Sequence, residues 1–160
     1  MEGYEIELSK LLLKRRLTLS VAESLTGGLL SKVITDVSGS SEYYLGGIVV
    51  YSVFAKEQIV KVPVQIVDNF GTVSAEVAYE LARRVRAIFM SDLAISTTGI
   101  AGPAAVEGKP VGLVYVGVAT KEKTFTFEEH LAGSREQIRL KTVEIALNKT
   151  IDILNNGGKL

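Results

Sequence analysis

Residues 18–37 read TLSVAESLTGGLLSKVITDV. A short apolar, β-prone run (TLSVA) leads into a small polar loop, and an amphipathic run follows. A strand that feeds a helix through a polar loop is the repeating unit of α/β proteins. In this reading the helix spans residues 25–37 and accepts Gly27 and Gly28, each costing about 1 kcal/mol against alanine. Two glycines at a helix start indicate that something approaches the backbone closely.

The same alternation continues on both sides. EIELSKLLLKRR (5–16) places Tyr4, Leu8, Leu11 and Leu12 on one helical face. YYLGGIVVYS (43–52) is nearly continuous in apolar residues and reads as a strand buried on both faces. FAKEQIVK (54–61) reads as a helix. SAEVAYELARRVRAIF (74–89) is a stronger one, with Ser74 as its cap and Val77, Leu81, Val85 and Ile88 on one face. DLAISTT (92–98) is another buried strand. VGLVYVGVA and TFTFEEHL flank TKEK as an antiparallel hairpin whose second strand alternates as an edge strand does. The last helix opens with Ser134 and Gln137 at capping-box spacing and buries Leu140, Val143, Leu147, Ile151 and Leu154. NNGGKL (155–160) reads as a frayed tail. The expectation is one domain over residues 1–160, an α/β protein built as a three-layer α/β/α sandwich on a mixed, mostly parallel sheet.

Composition narrows the function. Lysine plus arginine and aspartate plus glutamate each number 18, so net charge is near zero and the chain carries no basic footprint for nucleic acid. No run of 18 or more apolar residues exists to span a membrane, and the N-terminus lacks a signal-peptide pattern. A cytoplasmic location is expected. There is no cysteine and a single histidine, His130, so thiolate chemistry and a histidine metal cluster are excluded. No metal or organic cofactor is expected.

Three polar loops follow three strands expected to run parallel: 22–28, 51–56 and 98–102. Ligands of open α/β sheets bind at the carboxyl ends of strands, so these loops converge on one cleft if the strands are neighbours. Ser24 suits either a helix cap or a nucleophile beside backbone N–H groups that could hold an anion or oxyanion. A serine nucleophile needs a base. His130 follows TFTFEE on the edge strand beside two glutamates and reads as solvent-exposed, which disfavours a Ser-His-Asp triad. Lysine is the remaining common activator, since burial lowers its pKa. Lys56 is the best placed, five residues after Tyr51, although each also has a plain reading: a solvated helix lysine beside Glu57, and a core tyrosine. The loop TTGIAGP is either a simple turn or a polar-substrate site built from Thr98, Gly99 and Gly102. Arg135 and Arg139 would form a solvated face or meet a phosphate.

Taken together, AESLTGG, VYSVFAK, GTVSAEVAYELA, TTGIAGP, KPVG and GSREQIR stand in one order over residues 16–153. In that order they resemble the CinA C-terminal domain family, which includes the nicotinamide mononucleotide deamidases (PncC). AESLTGG is similar to the family's A-E-S-C-T-G-G signature and VYSVFAK to its T-Y-S-N-x-x-K stretch. The resemblance implies hydrolysis of nicotinamide mononucleotide to nicotinate mononucleotide and ammonia, without metal or cofactor. It maps the nucleophile to Ser24 and the second motif's tyrosine and lysine to Tyr51 and Lys56. Substrate contacts fall at Thr26, Gly27, Gly28, Thr98, Gly99, Gly102 and Arg135. The partner is then a small-molecule nucleotide, and a homo-oligomer is compatible with the sequence. Leu25 stands where the family has cysteine and Val53 where it has asparagine. GPAAVEGKP lacks the glycine-rich segment common after Gly-Pro. The resemblance is to the family's stand-alone form, which is expected to do without the molybdopterin-binding-like domain of full-length members. A non-catalytic nucleotide-binding or regulatory module with the same fold is the alternative, separable by assaying ammonia release.

Overall fold

A computed structural model describes residues 3–157. Five strands form one sheet in the order β2-β1-β3-β4-β5, where β1 is Leu19–Glu23, β2 Tyr44–Val49, β3 Leu93–Gly99, β4 Leu113–Ala119 and β5 Thr124–His130. β1 pairs parallel with both β2 and β3, β4 runs antiparallel to β3, and β5 antiparallel to β4. The sheet is therefore mixed, with three parallel neighbours and a terminal hairpin.

Helices cover both faces. α1 (Tyr4–Arg15), α2 (Leu29–Thr35) and α5 (Arg135–Asn155) pack on one side with Leu19, Val21, Ile95 and Val116 from the strands. α3 (Val64–Phe70) and α4 (Ala75–Phe89) pack on the other, around Val67, Val77, Leu81 and Val85 with Ala22 and Ala94. This is the three-layer α/β/α architecture expected. α4 begins where Ser74 accepts a hydrogen bond from the Val77 N–H, and α5 begins with a complete Ser134/Gln137 capping box. No helix among the described residues is long and apolar enough to cross a membrane.

Several local expectations need correction. Gly27 and Gly28 do not belong to α2: their φ values are 55° and 104°, a left-handed conformation that glycine adopts without steric cost, and they turn the chain into the helix. β2 is an edge strand, half-buried to exposed along its length, and is not covered on both faces. Its composition misled because Gly46 and Gly47 serve close packing: a Cβ on Gly47 would lie 2.5 Å from Val21 Cγ2. Ile88 and Leu140 are exposed on the outer faces of α4 and α5. Residues 55–59 form a π-helical turn, and α3, which follows Pro63, was not anticipated. The tail read as frayed lies outside the described residues beyond Gly157; α5 itself runs to Asn155.

Candidate active site

The strand order decides where a site can form. β1, β2 and β3 are parallel neighbours, so their carboxyl ends open at the same edge of the sheet. There, Ser24, Tyr51, Lys56, Thr98, Gly99, Gly102 and Arg135 line one cleft of about 240 Å³. That is just below the roughly 300–1,000 Å³ usual for sites that bury a drug-sized ligand, and it suits a small molecule. The three loops do converge.

Ser24 is the first residue beyond β1 and is 8% exposed. Its N–H donates to Thr97 O at 3.0 Å, which continues the β1–β3 ladder by one step and fixes the backbone under the side chain. Glu23 fastens the loop from behind. Its fully buried carboxylate accepts from the N–H groups of Gly28, Leu30 and Ser31 and from the Ser31 hydroxyl. It does for α2 the work of an N-cap residue, which Gly28 lacks a side chain to do. Arg139 fastens the other side by donating to Leu25 O at 3.0 Å and Thr26 O at 3.1 Å.

Lys56 is 2% exposed. The π-helical turn that carries it widens the local backbone, a feature often found at functional positions. Its Nζ lies 3.0 Å from Ser24 Oγ, 2.8 Å from Val50 O and 3.2 Å from Tyr51 O. Burial, against the opposing pull of the Glu107 carboxylate, brings its pKa down from 10.5 to about 8. The three neighbours are informative. As an ammonium Lys56 donates to all three oxygens; once neutral, it can keep its two N–H bonds on the Val50 and Tyr51 carbonyls, which can only accept, and turn its lone pair to the Ser24 hydroxyl.

The remaining residues divide. Tyr51 meets Lys56 through its carbonyl, while its hydroxyl, exposed at the cleft mouth, accepts from Arg135 Nη2 at 3.0 Å. Arg135 also donates to Gly102 O, bridging the second and third loops. Thr98 donates to Thr72 O at 2.7 Å. Thr26, Gly27 and Gly28 are not brought to the cleft. Thr26 is buried with its hydroxyl 2.8 Å from that of Thr97, the Gly27 N–H donates to Ser24 O, and the Gly28 N–H is held by Glu23. His130 is on the edge strand, its side chain 65% exposed and paired with Glu128. No group of three or more His, Asp or Glu side chains among the described residues is placed to hold a metal.

Two substitutions at signature positions have structural explanations. Leu25 is 4% exposed and packs with Ala101, Val114 and Ile138, so it is a core residue. Val53 is 46% exposed and deprives no buried group of a partner. The cleft also recruits Thr72, Val73, Ala104 and Val106, which the motif reading passed over. The polar loop GTV just ahead of the Ser74 cap was the available signal for the first two.

The CinA C-terminal domain profile matches residues 2–154. A Caldanaerobacter subterraneus subsp. tengcongensis protein described as competence-damage inducible is 52% identical over 143 residues, 89% of this chain and 35% of that protein. The chain thus spans about a third of the length of the curated relatives it matches. The crystal structure of competence damage-inducible protein A (ComA) from Klebsiella pneumoniae superposes with TM-score 0.95 at 28% identity, covering 97% of each chain. A CinA superfamily protein from Escherichia coli gives TM-score 0.92 at 31% identity, covering 95% of this chain and 89% of the other. In sequence and in fold alike, this chain belongs to the CinA C-terminal domain family.

Proposed function

We propose that the protein is an amidohydrolase that converts nicotinamide mononucleotide to nicotinate mononucleotide and ammonia, with Ser24 as nucleophile and Lys56 as its base. The observation that carries this reading is the buried Lys56 amine 3.0 Å from the Ser24 hydroxyl, with carbonyls as its other neighbours. Ser24 Oγ attacks the carboxamide carbon as its proton passes to Lys56 Nζ. The lysine then gives that proton to the departing nitrogen, ammonia leaves, and an ester on Ser24 remains. A water molecule, deprotonated by the same amine, hydrolyses the ester and restores both residues. Tyr51 serves by holding the amine through its carbonyl.

The oxyanion donors proposed here differ from those the glycines suggested. The N–H groups of Gly27 and Gly28 are already engaged, whereas those of Leu25, Ala101 and Gly102, which line the cleft, have no backbone acceptor among the described residues. Arg135 is placed at the mouth for a phosphate, and its guanidinium has donors beyond the two in use. Core packing by Leu25 and exposure of Val53 support retained chemistry, because neither removes a group from the Ser24–Lys56 pair. The test is ammonia release from nicotinamide mononucleotide, with Ser24→Ala as control. Release that depends on Ser24 supports the reading; equal release by the variant refutes it.

A further inference from the structure

Residues 103–110, which lack the glycine-rich segment noted above, form a flap at the cleft. Residues 103–108 are exposed, yet Ala104 and Val106 contribute to the cleft lining. The flap folds on itself as a small hairpin, with Val106 and Lys109 exchanging backbone hydrogen bonds at 3.3 and 2.9 Å. Its turn residues, Glu107 and Gly108, have φ values of 55° and 69°, the positive pair that marks a type I′ turn.

Two side chains fasten this hairpin to the rest of the molecule. The Glu107 carboxylate accepts from the Thr72 N–H at 2.8 Å, the Thr72 hydroxyl at 2.9 Å and the Val73 N–H at 3.2 Å. Lys109 Nζ donates to Phe70 O and Val73 O. Among the described residues, no other hydrogen bond ties 103–109 to another element. Gly71 is what lets them seat: a Cβ there would lie 2.7 Å from Glu107 Oε2 and 3.0 Å from Lys109 Nζ. Thr72 in turn accepts from Thr98, so the fastening reaches the third cleft loop.

We propose that Glu107 and Lys109 clasp the flap against residues 70–73 and thereby set the width of an aliphatic slot, walled by Val73, Ile100, Ala104 and Val106, that receives the planar ring of the substrate amide. Glu107 is then a specificity-determining residue that touches no reacting atom. The wall residues carry no hydrogen-bonding side chain and no charge to repel a cationic pyridinium, so they give its flat face van der Waals contact, of which a small aliphatic amide has less surface to make. The inference rests on the amidohydrolase reading for its substrate and on the clasp geometry for its mechanism.

The experiment perturbs the clasp from both sides, with Glu107→Gln and Gly71→Ala, and reads two quantities. The first is backbone amide exchange at Thr72 and Val73 without ligand, which should accelerate at least about tenfold in both variants while exchange in β1 and β3 is unchanged. The second is KM for nicotinamide mononucleotide, which should rise about tenfold with kcat within about threefold, because the loss is in binding the ring. Because Glu107 sits on an exposed flap, the melting temperature of Glu107→Gln should stay close to the parent's, whereas Gly71→Ala, at φ 79°, should lower it somewhat through backbone strain. Unchanged exchange in both variants overturns the clasp, and accelerated exchange with unchanged KM overturns its part in specificity. A parent that releases no ammonia refutes the substrate reading by itself, and with it the proposed slot specificity, while exchange still decides the clasp.

Discussion

Replacing Lys56 by methionine should change stability in a way that depends on pH, and the structure gives the size. The lysine's pKa falls from 10.5 to about 8 on folding, because burial disfavours the charged form. The unfolded chain therefore binds more protons than the folded one between those two values. Below pH 8 the folded protein bears the full cost of holding a lysine in this cleft, about 3 kcal/mol; the cost fades as pH rises through the window and is gone above 10.5. Methionine fills similar space without that cost, but it leaves Val50 O and Tyr51 O without their donor, a loss of about 1–3 kcal/mol. The two effects nearly cancel at pH 7. By pH 10 the parent has recovered about 2.5 kcal/mol relative to Lys56→Met, since other titrations are common to both chains. Urea unfolding of the pair from pH 7 to pH 10 measures this difference. A difference that stays constant within about 0.5 kcal/mol would show that Lys56 has an ordinary pKa, and the argument for a neutral amine would fall.

Three further outcomes are expected. Leu25→Cys should cost about 1–2 kcal/mol by urea unfolding with turnover kept within a few-fold, because Leu25 fills a core cluster behind the nucleophile. Arg135→Ala should raise KM for nicotinamide mononucleotide about tenfold or more and leave that for the unphosphorylated riboside nearly unchanged, if its guanidinium meets the phosphate. His130→Ala should leave turnover within about twofold of the parent, since the side chain sits on β5 with Glu128 as its partner.

The layers and the site's location were legible because both rest on patterns the chain writes locally. Ser74 and Ser134 cap the helices their spacing indicated, and β1 and β3, read as interior strands from their apolar starts, are buried almost throughout because both of their faces are covered. The position of β2 was not legible. YLGGIV is apolar enough for an interior strand, and only the sheet order, set by the crossover from β2 through α3 and α4 to β3, puts it at an edge. The glycine pair shows the same limit. Its sequence indicated close approach of an anion, and an anion is there, but it is the chain's own Glu23. A carboxylate that caps a helix from the preceding strand leaves no spacing signal that separates it from a solvent-facing glutamate. Lys56 was found by elimination, yet what makes it a candidate base is invisible in sequence: the turn that buries it and two carbonyls, from Val50 and Tyr51, that take its hydrogens.

The claim on which the functional reading depends is that Lys56 takes the Ser24 proton. Steady-state ammonia release from nicotinamide mononucleotide, measured on the parent and on Lys56→Ala with folding verified by circular dichroism, tests it directly. The expected result is a fall in kcat of about a thousandfold or more with KM changed only a few-fold, because the missing group acts in the chemical step. A folded Lys56→Ala protein that turns over at near the parent rate would contradict the account.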